Sequence, residues 1–162
     1  MLFLKCVVYL CLIGAAGFLA GRILPKTWID PTGLLFRCSV WEKGGKIYEK
    51  LGIRKWHNRL PDMSRIFPNW MPPKNLSGDY KNRLPEMIRE TCVAELVHAV
   101  VGLLGLYCVK IWKGIGGMTV ALVHLLMFNL PYILIQRYHR PRLLRLQAAL
   151  DRQRIQREGV PG

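Results

Sequence analysis

Acidic residues are scarce in this chain: ten Asp and Glu stand against 24 Lys and Arg, a formal charge of +14 over 162 residues. With only four histidines beside them, they do not supply the repeated His and Glu at i, i+3 or i, i+4 that a zinc or di-iron site needs. No metal and no other cofactor is expected. The five cysteines, Cys6, Cys11, Cys38, Cys92 and Cys108, are odd in number and show neither CxxC nor Cys/His zinc spacing. A disulfide framework is thereby excluded, and they read as small buried hydrophobes. Cys92 as a nucleophile with His98 as its base is also excluded, because six residues on a helix put the two on different faces.

Apolar sequence is what abounds. Hydrophobic residues make up 51% of the chain, and three runs approach the ~20 residues that cross a bilayer core. These are 2–20, 91–109 and 115–135. Nucleic-acid binding, the other common reason for so basic a chain, has no need of such runs, and no nucleic-acid partner is expected. The class read here is an all-α integral membrane protein of about three transmembrane helices, with amphipathic, interfacial cytoplasmic helices, forming a single membrane domain over 1–162. For the first run a cleaved signal peptide competes, but its leading region would carry little charge and Ala15-Ala16-Gly17 is a weak cleavage pattern. A retained helix is the expectation.

Charge sets the topology. Between Gly21 and Cys92 there are 14 Lys and Arg, and after Ile135 there are seven, all arginine. Three helices place the loop 21–90 and the tail 136–162 on one side. The positive-inside bias makes that side cytoplasmic and the N-terminus external, in a bacterial plasma membrane. Aromatics interleaved with cations from Trp28 to Trp56 suit the headgroup region. Apolar positions from Trp41 to Trp56 recur at roughly helical spacing, interrupted by Gly44-Gly45 and Gly52. "FPNWMPPKNLSGDY", residues 67–80, reads as a proline-rich irregular turn. The tail reads either as an interfacial basic helix or as a solvated end that fixes topology.

The polar residues at the head of the second run carry the chemistry. At 100° per residue Thr91, Glu95, His98, Gly102 and Gly105 form one stripe. Ionised groups at that depth cost a few kcal/mol, so their presence asks for a role. A Glu95–His98 pair suits a general base removing a proton from a hydroxyl at the membrane surface, with Glu90 a second carboxylate at the mouth. Equally, Glu95 and His98 suit pairing with polar groups of the third run, His124 or Asn129, as helix–helix glue in a non-enzymatic scaffold whose basic tail binds anionic lipid.

Three blocks, "WEKGGKIYEKLGIRKWHNRLPD" (41–62), "ETCVAELVH" (90–98) and "NLPYILIQRYHRPRL" (129–143), resemble the glycosyl-4,4'-diaponeurosporenoate acyltransferase family of small bacterial membrane proteins. The resemblance implies transfer of a fatty acyl group to a sugar hydroxyl of a membrane-embedded glycosylated carotenoid. The donor is acyl-CoA, acyl carrier protein or a lipid, and the acceptor a lipid or glycolipid in the bilayer. On the matching positions His98 becomes the base, oriented by Glu95, with Glu90 and Thr91 beside it and Asn129 facing it across the helix pair. Arg137, Tyr138, Arg140 and Arg142 are expected to hold the donor's phosphate or thioester end, and Arg54, Lys55 and Trp56 to line the cytoplasmic entrance. Three helices enclose a long substrate poorly, so either the loop contributes or the chain forms a homo-oligomer.

Overall fold

The protein is described from a computed structural model over residues 1–57 and 80–158. Those residues form helices and turns, with no strand among them. In chain order the helices are α1 (Leu2–Ile23), α2 (Lys46–Lys50), α3 (Ile53–Trp56), α4 (Tyr80–Gly105), α5 (Cys108–Ile111), α6 (Ile115–Val123) and α7 (Leu130–Glu158). Among the described residues three stretches are long and apolar enough to cross a membrane: Leu2–Ile23, Lys81–Ile111 and Ile115–Arg157. A helix satisfies its own backbone hydrogen bonds, which is why apolar runs of this length adopt it in lipid. Apart from residue 80, the proline-rich stretch 67–80 lies outside the described residues.

Helix ends fall beyond the spans read from hydropathy, for local reasons. α1 runs three residues further, to Ile23, and stops at Leu24, whose ψ of 121° is the extended conformation that a following proline imposes. α4 begins well before the apolar run. Leu84, Met87, Ile88 and Thr91 are all buried, an i, i+3, i+4, i+7 face that hydropathy averaging does not register. The third span does not end at Ile135 either. A π-helical turn, His124–Asn129, joins α6 to α7, and α7 carries the arginine-rich tail on to Glu158.

The described chain divides into two compact units. The first comprises Met1–Ile29 and Cys92–Gln136, the second Asp30–Thr91 and Arg137–Gly162. In the first, α1 approaches α4 closely. A Cβ at Gly17 would lie 2.5 Å from Val101 Cγ2, and one at Gly21 3.1 Å from Val97. This is the small-residue seam by which helices gain packing contacts where lipid offers no hydrophobic drive. Tyr9 donates its hydroxyl to the carbonyl of Leu104 at 2.9 Å, covering an oxygen at the end of α4. Cys6, Cys108 and Ala121 form a small core with Tyr9, Leu10 and Trp112 against it.

In the second unit a 3-10 turn, Val40–Gly45, precedes α2. Lys43, Gly44 and Gly45 follow one another at φ of 48°, 64° and 89°. Three successive left-handed residues reverse the chain sharply, and two of them are the residue type that takes this conformation without penalty. The helical spacing read from Trp41 to Trp56 is thus realised as α2 and α3, split at Gly52.

Candidate active site

In the first unit the apolar helices carry one polar cluster. His98 of α4 is half-buried and its Nδ1 lies 3.3 Å from Asn129 Oδ1. The Asn129 amide nitrogen reaches the His124 carbonyl at 2.9 Å and the His124 ring nitrogens at 3.3 and 3.4 Å. Tyr132 stacks on the His98 imidazole with centroids 4.7 Å apart and planes 7° from parallel. Glu95, one turn before His98, is buried in the same unit.

The glycines of the α4 stripe provide room for these side chains. A Cβ on Gly105 would sit 2.2 Å from His124 Nδ1, and one on Gly102 would sit 3.3 Å from Asn129 Cβ. The stripe predicted from helix phase therefore faces a second polar stripe. Spacing alone hides that partner, because His124 and Asn129 are five residues apart, which in an α-helix leaves them about 140° out of phase. The π-turn widens the helix and brings both to one side.

The second unit holds a network that joins two of the sequence blocks. Glu42 is 1% exposed. Its Oε1 accepts from the Tyr48 hydroxyl and from Arg137 Nη1 at 2.6 Å, and its Oε2 accepts the Ser39 N–H at 2.6 Å. The Ser39–Glu42 exchange is a capping box, which fixes the carboxylate where the 3-10 turn begins. Burial works to raise the Glu42 carboxyl, but the donors Tyr48, Arg137, Ser39 and Cys38 outweigh it and hold it below the usual carboxylate range. Burial, and then the adjacent carboxylate, push the Tyr48 phenol well above its ordinary value.

Arg140 is the largest fully buried side chain among the described residues. It donates to Thr91 Oγ1 at 2.9 Å, to the Thr91 carbonyl at 3.1 Å and to the Phe36 carbonyl at 2.9 Å. Its guanidinium also lies 5.3 Å from the Phe36 ring centroid. Arg142 covers the Tyr138 ring at 3.8 Å, donates to the Tyr138 hydroxyl and pairs with Glu49. The cavity beside Glu42, Arg137 and Arg140 has room for a water, not for a lipid chain or a sugar.

The residues singled out from sequence thus lie in two groups. His98, Glu95 and Asn129 belong to the first unit; Glu90, Thr91, Arg54, Lys55, Trp56, Arg137, Tyr138, Arg140 and Arg142 belong to the second. The structure brings together His98 with Asn129, Thr91 with Arg140, and Tyr138 with Arg142. Arg54 and Lys55 are exposed on α3, and Trp56 donates its indole N–H to the Leu51 carbonyl at 3.2 Å. Glu90 is half-buried on α4. Sequence reasoning passed over Glu42, Tyr48, Glu49 and Tyr132. For Glu42 a signal was present, since Ser39-x-x-Glu42 is the sequence mark of a capping box.

Comparison with known proteins gives a consistent picture. The family described as glycosyl-4,4'-diaponeurosporenoate acyltransferase matches residues 25–149. Proteins of that name from Staphylococcus aureus strains N315 and USA300 are 29% identical over 136 residues, 82% of this chain and 79% of theirs. No solved structure matches.

Proposed function

The chain belongs to the glycosyl-4,4'-diaponeurosporenoate acyltransferase family, and from that membership we propose that it moves a fatty acyl group onto a hydroxyl of a glycolipid, such as the sugar of a glycosyl carotenoid. The family match across residues 25–149 carries this reading. His98 acts as the general base. It takes the proton from the acceptor hydroxyl as that oxygen attacks the donor carbonyl carbon. The bond from carbonyl carbon to the donor's leaving group breaks, and the proton passes to that group. An ester forms and the freed thiol or alcohol leaves.

Support for the base comes from its setting. A histidine held by Asn129 and stacked on Tyr132, within a span apolar enough to cross a membrane, is the kind of residue that marks a functional site. Glu95, one turn before His98 on the same helix, helps to orient the ring, and Glu90 is a second carboxylate nearer the start of that helix. The exposed cations Arg54 and Lys55 meet the anionic part of the donor. Arg137, Arg140 and Arg142, whose guanidiniums are matched to protein oxygens, shape the segment that the donor meets, and Tyr138 is held with them. The positive-inside bias puts this chemistry at the cytoplasmic face, with the N-terminus external.

The test is transfer of a labelled acyl group in membranes from acyl-CoA or acyl carrier protein to extracted glycolipid, comparing wild type with His98→Ala. Loss of a general base lowers turnover ~10²- to 10⁴-fold. Unchanged turnover in a folded variant removes His98 from the mechanism. The hydrogen bond between His98 and Asn129 also supports the scaffold reading, and a variant that loses folded yield instead of turnover assigns the pair to helix association.

A further inference from the structure

We infer that Asn129 fixes His98 in a single tautomer, with the proton on Nδ1, and that the π-turn His124–Asn129 exists to hold Asn129 in the orientation that does so. The inference rests on the reading of His98 as a base and names the nitrogen that acts.

A backbone carbonyl only accepts hydrogen bonds. The end of the Asn129 amide that lies 2.9 Å from the His124 carbonyl oxygen must therefore be the NH2. Assigning an amide by its network in this way settles the O/N ambiguity that atom positions alone leave. Oxygen is then the end that faces His98, at 3.3 Å from Nδ1. An amide oxygen also only accepts, so His98 Nδ1 carries the hydrogen and donates it. In a neutral imidazole the lone pair is then on Nε2, and Nε2 is the nitrogen that can take a proton from a hydroxyl.

Each part of the surroundings serves this arrangement. In a regular α-helix the five-residue spacing would put the His124 carbonyl and the Asn129 side chain about 140° apart, and the π-turn removes that offset. Both residues are buried, at 8% and 2% exposure, so water does not compete for the amide. Gly105 and Gly102 open the space on α4 that the His124 ring and Asn129 occupy. Tyr132, three residues beyond Asn129, stacks on His98 at 7° and fixes the ring plane in which Nε2 points. Asn129 is thus a positioning residue that acts through His98. Being neutral, it selects the tautomer without adding a further ionisable group beside the histidine.

The full chain, labelled with 15N-histidine in lipid nanodiscs, reads this directly. Long-range proton–nitrogen correlations distinguish a protonated from an unprotonated ring nitrogen, and His98→Gln identifies the His98 signals. Wild type is expected to show a protonated Nδ1 and an unprotonated Nε2. Asn129→Ala is expected to shift His98 toward the opposite tautomer. It should also lower kcat by about ten- to a hundredfold, as orienting partners of a functional histidine do, with KM little changed. A wild-type spectrum with the proton on Nε2 overturns the inference, as does an unchanged tautomer in Asn129→Ala. The wild-type spectrum decides even if the variant fails to fold. If the tautomer is as stated but His98→Ala keeps its turnover, the inference stands and the reading of His98 as the base falls.

Discussion

Removing the Glu42 carboxylate is the most direct perturbation of the second unit. Its oxygens take donors from Tyr48, Arg137, Ser39 and Cys38, in a site 1% exposed. Glu42→Ala leaves Arg137 without its carboxylate and strands the hydroxyl of Tyr48, itself 2% exposed. Truncating one partner of a buried pair costs roughly 3–5 kcal/mol, because the other charge keeps its desolvation penalty. At 1.4 kcal/mol per decade, that is about two to three and a half decades in the unfolding equilibrium. Glu42→Gln keeps the shape and an acceptor oxygen, so its cost should be about 1–3 kcal/mol. Arg137→Ala combined with Glu42→Ala should recover part of the loss, since the cation that faced the carboxylate is gone as well. The carboxyl is held below its ordinary value in the folded protein. Its contribution is therefore complete above the unfolded carboxyl's pKa, about 4.3, and is lost as pH falls through the lower folded value. Heating the full chain in mild detergent while following helical circular dichroism, at neutral pH and in steps down to acid, measures both effects. The reasoning is refuted if Glu42→Ala melts with wild type, or if Glu42→Gln keeps the same acid limb of stability.

Two other substitutions test the packing. Gly105→Ala places a methyl 2.2 Å from His124 Nδ1; overpacking of this kind costs about 1–3 kcal/mol, and displacing His124 should cut acyl transfer as well. Binding of a melting-sensitive dye and turnover, measured on one preparation, should fall together. Arg140→Lys keeps the charge but cannot reproduce donation to Thr91 Oγ1, the Thr91 carbonyl and the Phe36 carbonyl from one planar group. A loss of about 1–3 kcal/mol is expected in the same thermal assay, from buried hydrogen bonds that lysine cannot remake.

How much of this was legible depended on whether the information was periodic. Three apolar helices follow from run length alone, and the stripe of Thr91, Glu95, His98, Gly102 and Gly105 follows from helix phase. Asn129 opposite His98 was within reach because helix pairing brings polar residues together in an apolar setting. What stayed hidden breaks the period. The π-turn inserts an extra residue into the third span, so His124, named from sequence as a partner for Glu95 or His98, is in the structure also the anchor of Asn129. The Glu42 network was hidden for a different reason. Its partners are 95 residues apart, Glu42 with Arg137, and no local pattern encodes a contact that distant. The arginines after Asn129 read as ligands for a donor because arginine suits phosphate. The structure gives three of them, Arg137, Arg140 and Arg142, partners within the protein, a use that composition does not distinguish.

The π-turn also has a consequence for how insertions and deletions are tolerated. A helix with one residue too many is a matter of register. Deleting a single position between Leu125 and Phe128 would restore α-helical hydrogen bonding locally and set Asn129 four residues after His124, about 40° out of phase, so the two would still share a face. Tyr132 and the residues beyond it would keep their side of the helix, because the turn had already absorbed the extra residue. A one-residue gap at this point in a relative's sequence would therefore be compatible with the same histidine and the same partners, whereas a gap elsewhere in the span, with no π-turn to absorb it, would turn every later residue by about 100°.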